Sequence, residues 1–177
     1  MEYAVTLLID ESDALRLRSA FISAGCPSAY TENPPHISLA TFEKVSKARL
    51  IKAVETFAAK TPPLTVSFLS LGIFPGVKNV VFLAPVVTKS LLETHESFHA
   101  ILQSEKIRSA TFYLPGKWVP HCTITKEDDI ETSVKTMARI HSQPIFTQFR
   151  LSRVQIFKLN PAVTSMGAFE LSGHQGF

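Results

Sequence analysis

The spacing of hydrophobic and polar residues predicts an alternation of strands and helices. Apolar runs rich in β-branched residues predict strands, and apolar residues recurring every three or four positions predict amphipathic helices. The predicted strands cover residues 3–9, 36–41, 64–74, 79–87, about 121–127, 146–159 and 164–171. The predicted helices cover about 10–25, 46–60, 88–105 and 128–141. Residues 107–117 fit neither pattern, and residues 172–177 are expected to form a loose tail.

The order of these elements repeats. Each half of the chain, approximately 1–87 and 88–177, contains a helix, a strand that begins with Pro-His, a second helix and two strands. Gly72-Ile73-Phe74 in the first half is echoed by Gln155-Ile156-Phe157 in the second half. No linker separates the halves, so we expect residues 1–177 to form a single bilobal α+β domain with a pseudo-two-fold repeat.

Composition narrows the class of protein. With 45% hydrophobic and 19% charged residues, the chain has the composition of a globular domain. A net charge of +3 is too weak for a duplex-DNA binder but compatible with a small anionic ligand. The longest apolar run, 80–87, is too short to cross a membrane. The two cysteines form no disulfide framework. We therefore expect a cytoplasmic protein that binds neither membranes nor duplex DNA. The oligomeric state does not follow from these features, and a monomer is our expectation.

The candidate chemistry lies in two matching motifs that begin the Pro-His strands. Both read Pro-His-x-(Ser/Thr)-(Ile/Leu), and their histidines, His36 and His121, are 121 − 36 = 85 positions apart. Because side chains alternate along a strand, each histidine shares one face with the hydroxyl two residues later, Ser38 or Thr123. A third His-x-Ser, at His95, lies in a helical stretch and lacks this context.

This pair of motifs suits phosphodiester chemistry. An ordinary histidine pKa near 6.5 allows one imidazole to be neutral and another protonated at the same pH. One ring can then remove a proton from water while the other protonates a departing oxygen. The two hydroxyl groups are donors for the phosphate oxygens on which charge develops. The residues alone do not say which histidine is the acid.

The two motifs, the repeat around them and the lead-in Tyr113-Leu-Pro-Gly-Lys-Trp-Val-Pro-His121 resemble the 2H phosphoesterase superfamily. The resemblance covers residues 3–171 and is greatest to the branch of 2'-5' RNA ligases and RNA cyclic phosphodiesterases. It implies two antiparallel sheets flanked by helices, with the paired motifs facing each other across a central cleft. Ser38 departs from the more usual Thr, so the hydroxyl is retained without the methyl group that restricts its rotamer.

The resemblance also implies an activity: hydrolysis of RNA or nucleotide 2',3'-cyclic phosphates, or of 2'-5' phosphodiester links, without metal or cofactor. The partner would be an RNA end or a small nucleotide. By analogy His36 is the acid and His121 the base. Ligase and hydrolase directions share one site, and the physiological substrate stays open.

Further contacts to substrate are less specific. Lys126 lies where this branch often carries arginine, which makes it a candidate for phosphate binding. Arg150 and Arg153 are three residues apart, so on a regular strand their side chains point to opposite faces. At most one of them should therefore reach the cleft. Four aromatic residues could stack on a nucleobase or pack in the protein instead: Phe74, Tyr113, Trp118 and Phe157.

Two other classes compete with this hypothesis. His95-Glu96-Ser97-Phe98-His99 matches the H-E-x-x-H signature of zinc metallopeptidases, with Glu96 as general base. No third ligand has a recognisable spacing, so the motif favours a packing helix with partly exposed histidines. The other class is a non-catalytic RNA- or nucleotide-binding protein with the same cleft.

Overall fold

A computed structural model describes residues 2–26 and 33–173. The strands are β1 (Tyr3–Ile9), β2 (His36–Phe42), β3 (Leu64–Phe74), β4 (Asn79–Pro85), β5 (Cys122–Glu127), β6 (Gln148–Lys158) and β7 (Thr164–Glu170). The helices are α1 (Glu11–Ser23), α2 (Lys47–Lys60), α3 (Lys89–Ser104) and α4 (Ile130–His141), with a 3-10 turn at Thr111–Tyr113. The α+β class is confirmed, and part of the unassigned segment 107–117 forms the 3-10 turn.

All strand pairs are antiparallel, and the strand order is β2-β1-β6-β3-β4-β5, with β7 added to β6. Two sheets meet in the long strand β3. Its first residues, Leu64 to Ser67, pair with β6, and Phe68 to Phe74 pair with β4. The two antiparallel sheets that the resemblance implied are therefore joined through one shared strand.

The strand order reads the same way from both ends. β2, β1 and β6 form one row, and β5, β4 and β3 form the corresponding row, so that the two motif strands occupy the two outer positions. This arrangement exchanges strands between the two sequence repeats. β1 from the first half lies beside β6 from the second, whereas β3 and β4 from the first half join β5 from the second.

One hydrophobic cluster lies under the helices and includes residues from every strand except β7 among its fully buried members. All seven residues of β1 are buried, because this strand lies between β2 and β6. Phe57 of α2 packs edge-on against Phe98 of α3 with ring centroids 5.0 Å apart. On the opposite face, Ala4, Leu8 and Phe157 form a small second cluster.

The two outer strands of the row, β2 and β5, contact each other, so the joined sheets curve round to bring the motif strands together. The segment before β5 also covers β2, since the N–H of Ala110 donates to the carbonyl of Thr41 at 2.8 Å. This bond satisfies a backbone group on a strand that has only β1 as a partner among the described strands.

The expected loose tail is wrong at its first two residues. The N–H groups of Ser172 and Gly173 donate to the carbonyls of Ala58 and Thr61, both at 3.0 Å, which ties them to the end of α2. The rest of that tail, and residues 27–32 of the turn before His36, lie outside the described residues. Within the described ranges, no helix combines the length and apolar character needed to cross a membrane.

Candidate active site

His36 and His121 are held in the same way. The Nδ1 of His36 lies 2.7 Å from the carbonyl of Pro34, and the Nδ1 of His121 lies 2.8 Å from the carbonyl of Val119. A carbonyl oxygen can only accept, so each Nδ1 carries the proton and donates. The Nε2 of each neutral ring is consequently the nitrogen able to accept a proton.

Each imidazole also contacts a phenylalanine from the other sequence repeat. Phe157 lies 5.9 Å from His36 between ring centroids, and Phe74 lies 4.8 Å from His121 in an edge-on contact. These phenylalanines are the two members of the Gly-Ile-Phe and Gln-Ile-Phe echo. The exchange of strands between repeats explains why each phenylalanine meets the histidine of the opposite repeat.

The hydroxyls of the two motifs face one cavity of about 450 Å³, which is also lined by His121 and Lys126. Ser38 enters from β2 and Thr123 from β5, so both motif strands contribute to the cavity. The Tyr113 hydroxyl lies within hydrogen-bonding reach of Ser38. Burial raises the pKa of Tyr113, and the Ser38 contact lowers it in part. The tyrosine therefore stays a neutral phenol at physiological pH.

A β-bulge explains how Lys126 reaches the same cavity. Lys126 is three residues after Thr123, and on a regular strand the two side chains would point to opposite faces. The register of β5 against β4 shifts between Val81 and Phe82, so Thr123 pairs with Phe82 and Lys126 pairs with Val80. Positions 80 and 82 share a face, which places Thr123 and Lys126 together.

Burial lowers the pKa of both histidines below the ordinary value of 6.5. The carbonyls that accept from each Nδ1 partly oppose this effect. In addition, the charge of His121 lowers the pKa of His36, so the two imidazoles lie close enough to interact electrostatically. The pair therefore favours states in which at least one of the rings is neutral.

The residues beside the two motif hydroxyls differ. Beside Ser38, β1 contributes Thr6, which is fully buried and whose hydroxyl has no hydrogen-bond partner among the described residues, and β6 contributes Gln155. On the other side, Phe82 pairs with Gly72, and a Cβ at that glycine would meet the Phe82 ring. Gly72 therefore makes room for an aromatic ring beneath His121.

The histidines of the H-E-x-x-H match are buried, so the expectation of partly exposed side chains is wrong. His95 and Trp118 stack in parallel, with ring centroids 4.0 Å apart, and the Trp118 indole N–H donates to the Ser38 carbonyl at 2.9 Å. The Nε2 of His99 lies 3.3 Å from the carbonyl of Leu39. Burial, together with the charge of His99, lowers the pKa of His95 to about 4.

This arrangement makes α3 a support for β2. Trp118 and His99 bond to consecutive carbonyls of the first motif, and His95 packs on the indole that makes one of those bonds. Across residues 2–26 and 33–173, no cluster of three or more His, Cys, Asp or Glu side chains has the geometry of a metal site. The contacts of His95 and His99 are those of packing residues.

Neither of the two arginines lines the cavity. Arg150 is exposed, and its Nε is 3.5 Å from Asp10. Arg153 is 4.0 Å from Glu170 and shares a row across the sheet with Leu8 and His36, without lining the cavity that contains His121. Among the aromatic candidates, Phe74, Tyr113 and Trp118 line that cavity. Phe157 is buried beside His36.

Sequence reasoning missed Phe112 and Lys117, both of which also line the cavity. They lie in the segment that showed neither periodicity. Phe112 is 77% exposed, which is unusual for so large an apolar side chain. The exposure of an aromatic residue cannot be read from a segment without a regular pattern, so nothing in the sequence distinguished Phe112 from a core residue.

The chain is similar in sequence to known proteins. A family model described as the 2'-5' RNA ligase superfamily matches residues 8–161. A Bacillus cytotoxicus protein whose name reads "Putative phosphoesterase" is 25% identical over 130 residues, which is 72% of each chain.

Solved structures share the fold. The Thermus thermophilus protein TT0787 superposes with a TM-score of 0.66 at 15% identity, covering 99% of this chain and 100% of that one. Escherichia coli LigT complexed with 3'-AMP gives 0.61 at 14% identity, covering 97% and 98%. Kluyveromyces marxianus Usb1 gives 0.51 at 11% identity, covering 93% and 96%.

Proposed function

The chain belongs to the 2'-5' RNA ligase superfamily, and from this premise we propose that it is a metal-independent phosphodiesterase. Its substrates would be RNA or nucleotide 2',3'-cyclic phosphates, or 2'-5' phosphodiester links. The observation that supports the proposal best is the matched pair His36 and His121. Both rings donate from Nδ1 to a backbone carbonyl, which leaves both Nε2 atoms for proton transfer, and the two imidazoles interact electrostatically.

In the proposed reaction, the neutral imidazole of His121 removes a proton from water, and the oxygen of that water bonds to phosphorus. The bond from phosphorus to the ribose 3' oxygen breaks, and protonated His36 delivers its proton to that oxygen. One water is added, and the product is a 2'-phosphate. The two histidines end with exchanged protonation states, which solvent restores. The order of acid and base follows the family resemblance.

The phosphate oxygens that do not react need donors. Ser38, Thr123 and Lys126 line the same cavity as His121 and supply two hydroxyls and one ammonium group. Such donors stabilise charge as it develops on the phosphate. Escherichia coli LigT, which shares the fold, has been crystallised with 3'-AMP, with ATP and with phosphate, and these ligands support a nucleotide or phosphate ligand here.

The decisive experiment is a hydrolysis screen of the purified protein in the presence of EDTA. The substrates are 2',3'-cyclic AMP, an oligoribonucleotide ending in a 2',3'-cyclic phosphate, and a 2'-5'-linked dinucleotide. We expect hydrolysis that EDTA does not affect, with a single phosphate isomer as product, identified by phosphorus NMR.

Loss of activity in EDTA and its recovery with Zn²⁺ would instead favour metal chemistry. Binding of the cyclic nucleotide without turnover at several pH values would identify the protein as a non-catalytic binder. The position of the product phosphate also tests the acid: a 3'-phosphate would contradict cleavage at the 3' oxygen.

A further inference from the structure

Three neighbouring cavities share lining residues. The cavity that contains His121 meets a second one, of about 520 Å³, at Phe112. The second meets a third, of about 820 Å³, at Arg108, Ser109 and Thr111. Taken together, they follow the segment before β5 from His121 to the end of α3. Hereafter they are together called the 108–112 groove.

The first cavity already has the size of a site for one small ligand, because such sites occupy about 300–1,000 Å³. A cyclic mononucleotide would leave the rest of the groove empty. A 2',3'-cyclic phosphate occurs on the 3'-terminal ribose of a polynucleotide, so the remainder of the strand leaves that ribose in one direction only, through its 5' oxygen. A groove leading away from His121 matches that geometry.

The 108–112 groove is lined by more basic than acidic side chains. It is lined by five basic and two acidic side chains, a greater excess than the 18 basic to 15 acidic residues of the whole chain. The basic residues are Lys44, Lys106, Arg108, Lys117 and Lys126, and the acidic residues are Glu43 and Glu96.

None of these five cations forms an ion pair within the described part of the chain. By contrast, seven other basic residues do so: Arg16, Lys52, Lys78, Lys89, Lys135, Arg150 and Arg153. Cations without carboxylate partners can neutralise phosphates without first breaking an ion pair.

Phe112 stands at the junction between the first two cavities and is 77% exposed. The backbone of the 3-10 turn that carries it is held by two hydrogen bonds. The Ala110 N–H donates to the Thr41 carbonyl at 2.8 Å, and the Tyr113 N–H donates to the Ala110 carbonyl at 3.0 Å. An exposed aromatic ring on a hydrogen-bonded turn, beside cations without carboxylate partners, is a combination that proteins use to bind single-stranded nucleic acid.

We propose that the 108–112 groove binds a single-stranded RNA segment upstream of the reacting end, with Phe112 stacking on a base and Arg108 and Lys44 contacting phosphates. The substrate is then an oligoribonucleotide rather than a free cyclic mononucleotide. This assignment of substrate rests on the proposed function, whereas binding of the strand does not.

The first test measures binding without chemistry. The probe is a short, 5'-fluorescein-labelled oligoadenylate with an ordinary 3'-phosphate, followed by fluorescence anisotropy over a series of salt concentrations. Phe112→Ala should weaken binding at least about fivefold, because a stacked base contributes that much or more. Arg108→Ala and Lys44→Ala should each reduce the slope of log affinity against log salt by about 0.7, the value for one phosphate on a single strand.

Matched variants separate these effects from misfolding. Phe112→Tyr keeps the ring and should bind almost as the parent does. Lys89→Ala removes an exposed lysine that is paired with Glu93 outside the groove, and it should leave binding unchanged. Equal affinity and equal salt slope in the parent, Arg108→Ala and Lys44→Ala would overturn the inference, as would a parent protein that does not bind the oligoadenylate.

The second test measures turnover. For an oligoribonucleotide with a 2',3'-cyclic phosphate, Arg108→Ala should raise KM severalfold and change kcat little. For 2',3'-cyclic AMP the kinetics should match those of the parent. An equal effect on both substrates, or on neither, would contradict the groove. If the parent hydrolyses neither of these substrates nor a 2'-5'-linked dinucleotide, the proposed function fails, and the anisotropy results still decide whether the groove binds RNA.

Discussion

The two histidine strands are alike in their backbone and different in their surroundings. In both, the ring is oriented by a bond from Nδ1 to the carbonyl two residues earlier, at 2.7 Å for His36 and 2.8 Å for His121. The floor beside the Ser38 hydroxyl is polar, with Thr6 and Gln155 in the same row across the sheet. The floor beneath the second motif is aromatic, with Phe82 lying over Gly72.

The strands also differ in what lies behind them. The carbonyls of Ser38 and Leu39 are bonded by Trp118 and His99, so β2 is supported by α3 and by the segment before β5. The repeated part of the structure orients two proton-transfer groups in the same way. The part that differs surrounds each group with another environment, and this is where distinct roles for the two histidines can arise.

The largest effect is expected from removal of either histidine. We expect His36→Ala and His121→Ala each to lower kcat/KM for a 2',3'-cyclic phosphate by about 10²–10⁴-fold, the usual contribution of one general acid or base. Because the two rings act in one reaction, the double variant should lose little more than either single variant.

Steady-state kinetics with His141→Ala as the control would measure this, since His141 is an exposed residue at the end of α4. Full activity in either motif variant would show that this histidine takes no part in the mechanism. The two strands would then not be functionally equivalent.

A smaller effect is expected in the pH dependence of stability, and it arises from His95 behind the supported strand β2. The pKa of His95 is lowered to about 4 in the folded protein, against about 6.5 when unfolded. Between these values the unfolded chain binds the proton more readily, so the contribution of His95 to stability is complete above pH 6.5 and is lost as the pH falls towards 4. The loss from this residue amounts to about 3 kcal/mol.

His95→Phe keeps a flat ring against Trp118 and removes the titrating nitrogens. Urea unfolding at about pH 7 and about pH 4.5 should show a smaller fall in the free energy of unfolding for this variant than for the parent. His141→Phe, at an exposed position, should retain the parental fall. An unchanged pH dependence in His95→Phe would show that His95 does not determine the acid sensitivity.

The smallest effect is a shift in the pH dependence of catalysis. Burial lowers the pKa of both His36 and His121 below 6.5, so the free enzyme loses its protonated acid as the pH rises through a lowered pKa. A bell-shaped profile of kcat/KM should therefore have its maximum below about pH 6.5, with a fall of about tenfold per pH unit on the alkaline side.

The maximum of the kcat profile should lie at higher pH than that of kcat/KM, because a bound phosphate anion stabilises the imidazolium and raises its pKa. The two histidines can be distinguished by NMR titration. Since the charge of His121 contributes to the lowered pKa of His36, His121→Asn should raise the pKa of His36. A kcat/KM maximum above the ordinary histidine pKa, or an unmoved His36 titration, would contradict this part of the comparison.

Local patterns were sufficient for the secondary structure. Residues 3–9 and 64–74 were predicted as strands with the bounds that the structure has, because alternating β-branched and apolar residues end there at turn residues. Helix α2 begins one residue after the predicted start, since Ser46 is its N-cap. The faces of the two motifs follow from the same alternation, so Ser38 and Thr123 were correctly placed on the side opposite the buried Ile37 and Cys122.

Long-range pairing was beyond those patterns. The repeat indicated two equivalent halves, but β1 pairs with β6 and β4 with β5, so that Phe157 meets His36 and Phe74 meets His121. Strand pairing depends on which apolar faces can be buried together across the whole chain, and a local window contains no such information.

Periodicities of two and 3.6 residues, together with side-chain chemistry, were enough to establish the elements, the α+β class and the two motifs with their hydroxyl partners. Three features required the folded chain: the β-bulge that turns Lys126 into the cavity, the burial of His95 and His99 behind β2, and the exposure of Phe112. Burial and register arise when distant segments pack together, and that packing sets both the environment of each histidine and the groove that leads away from His121.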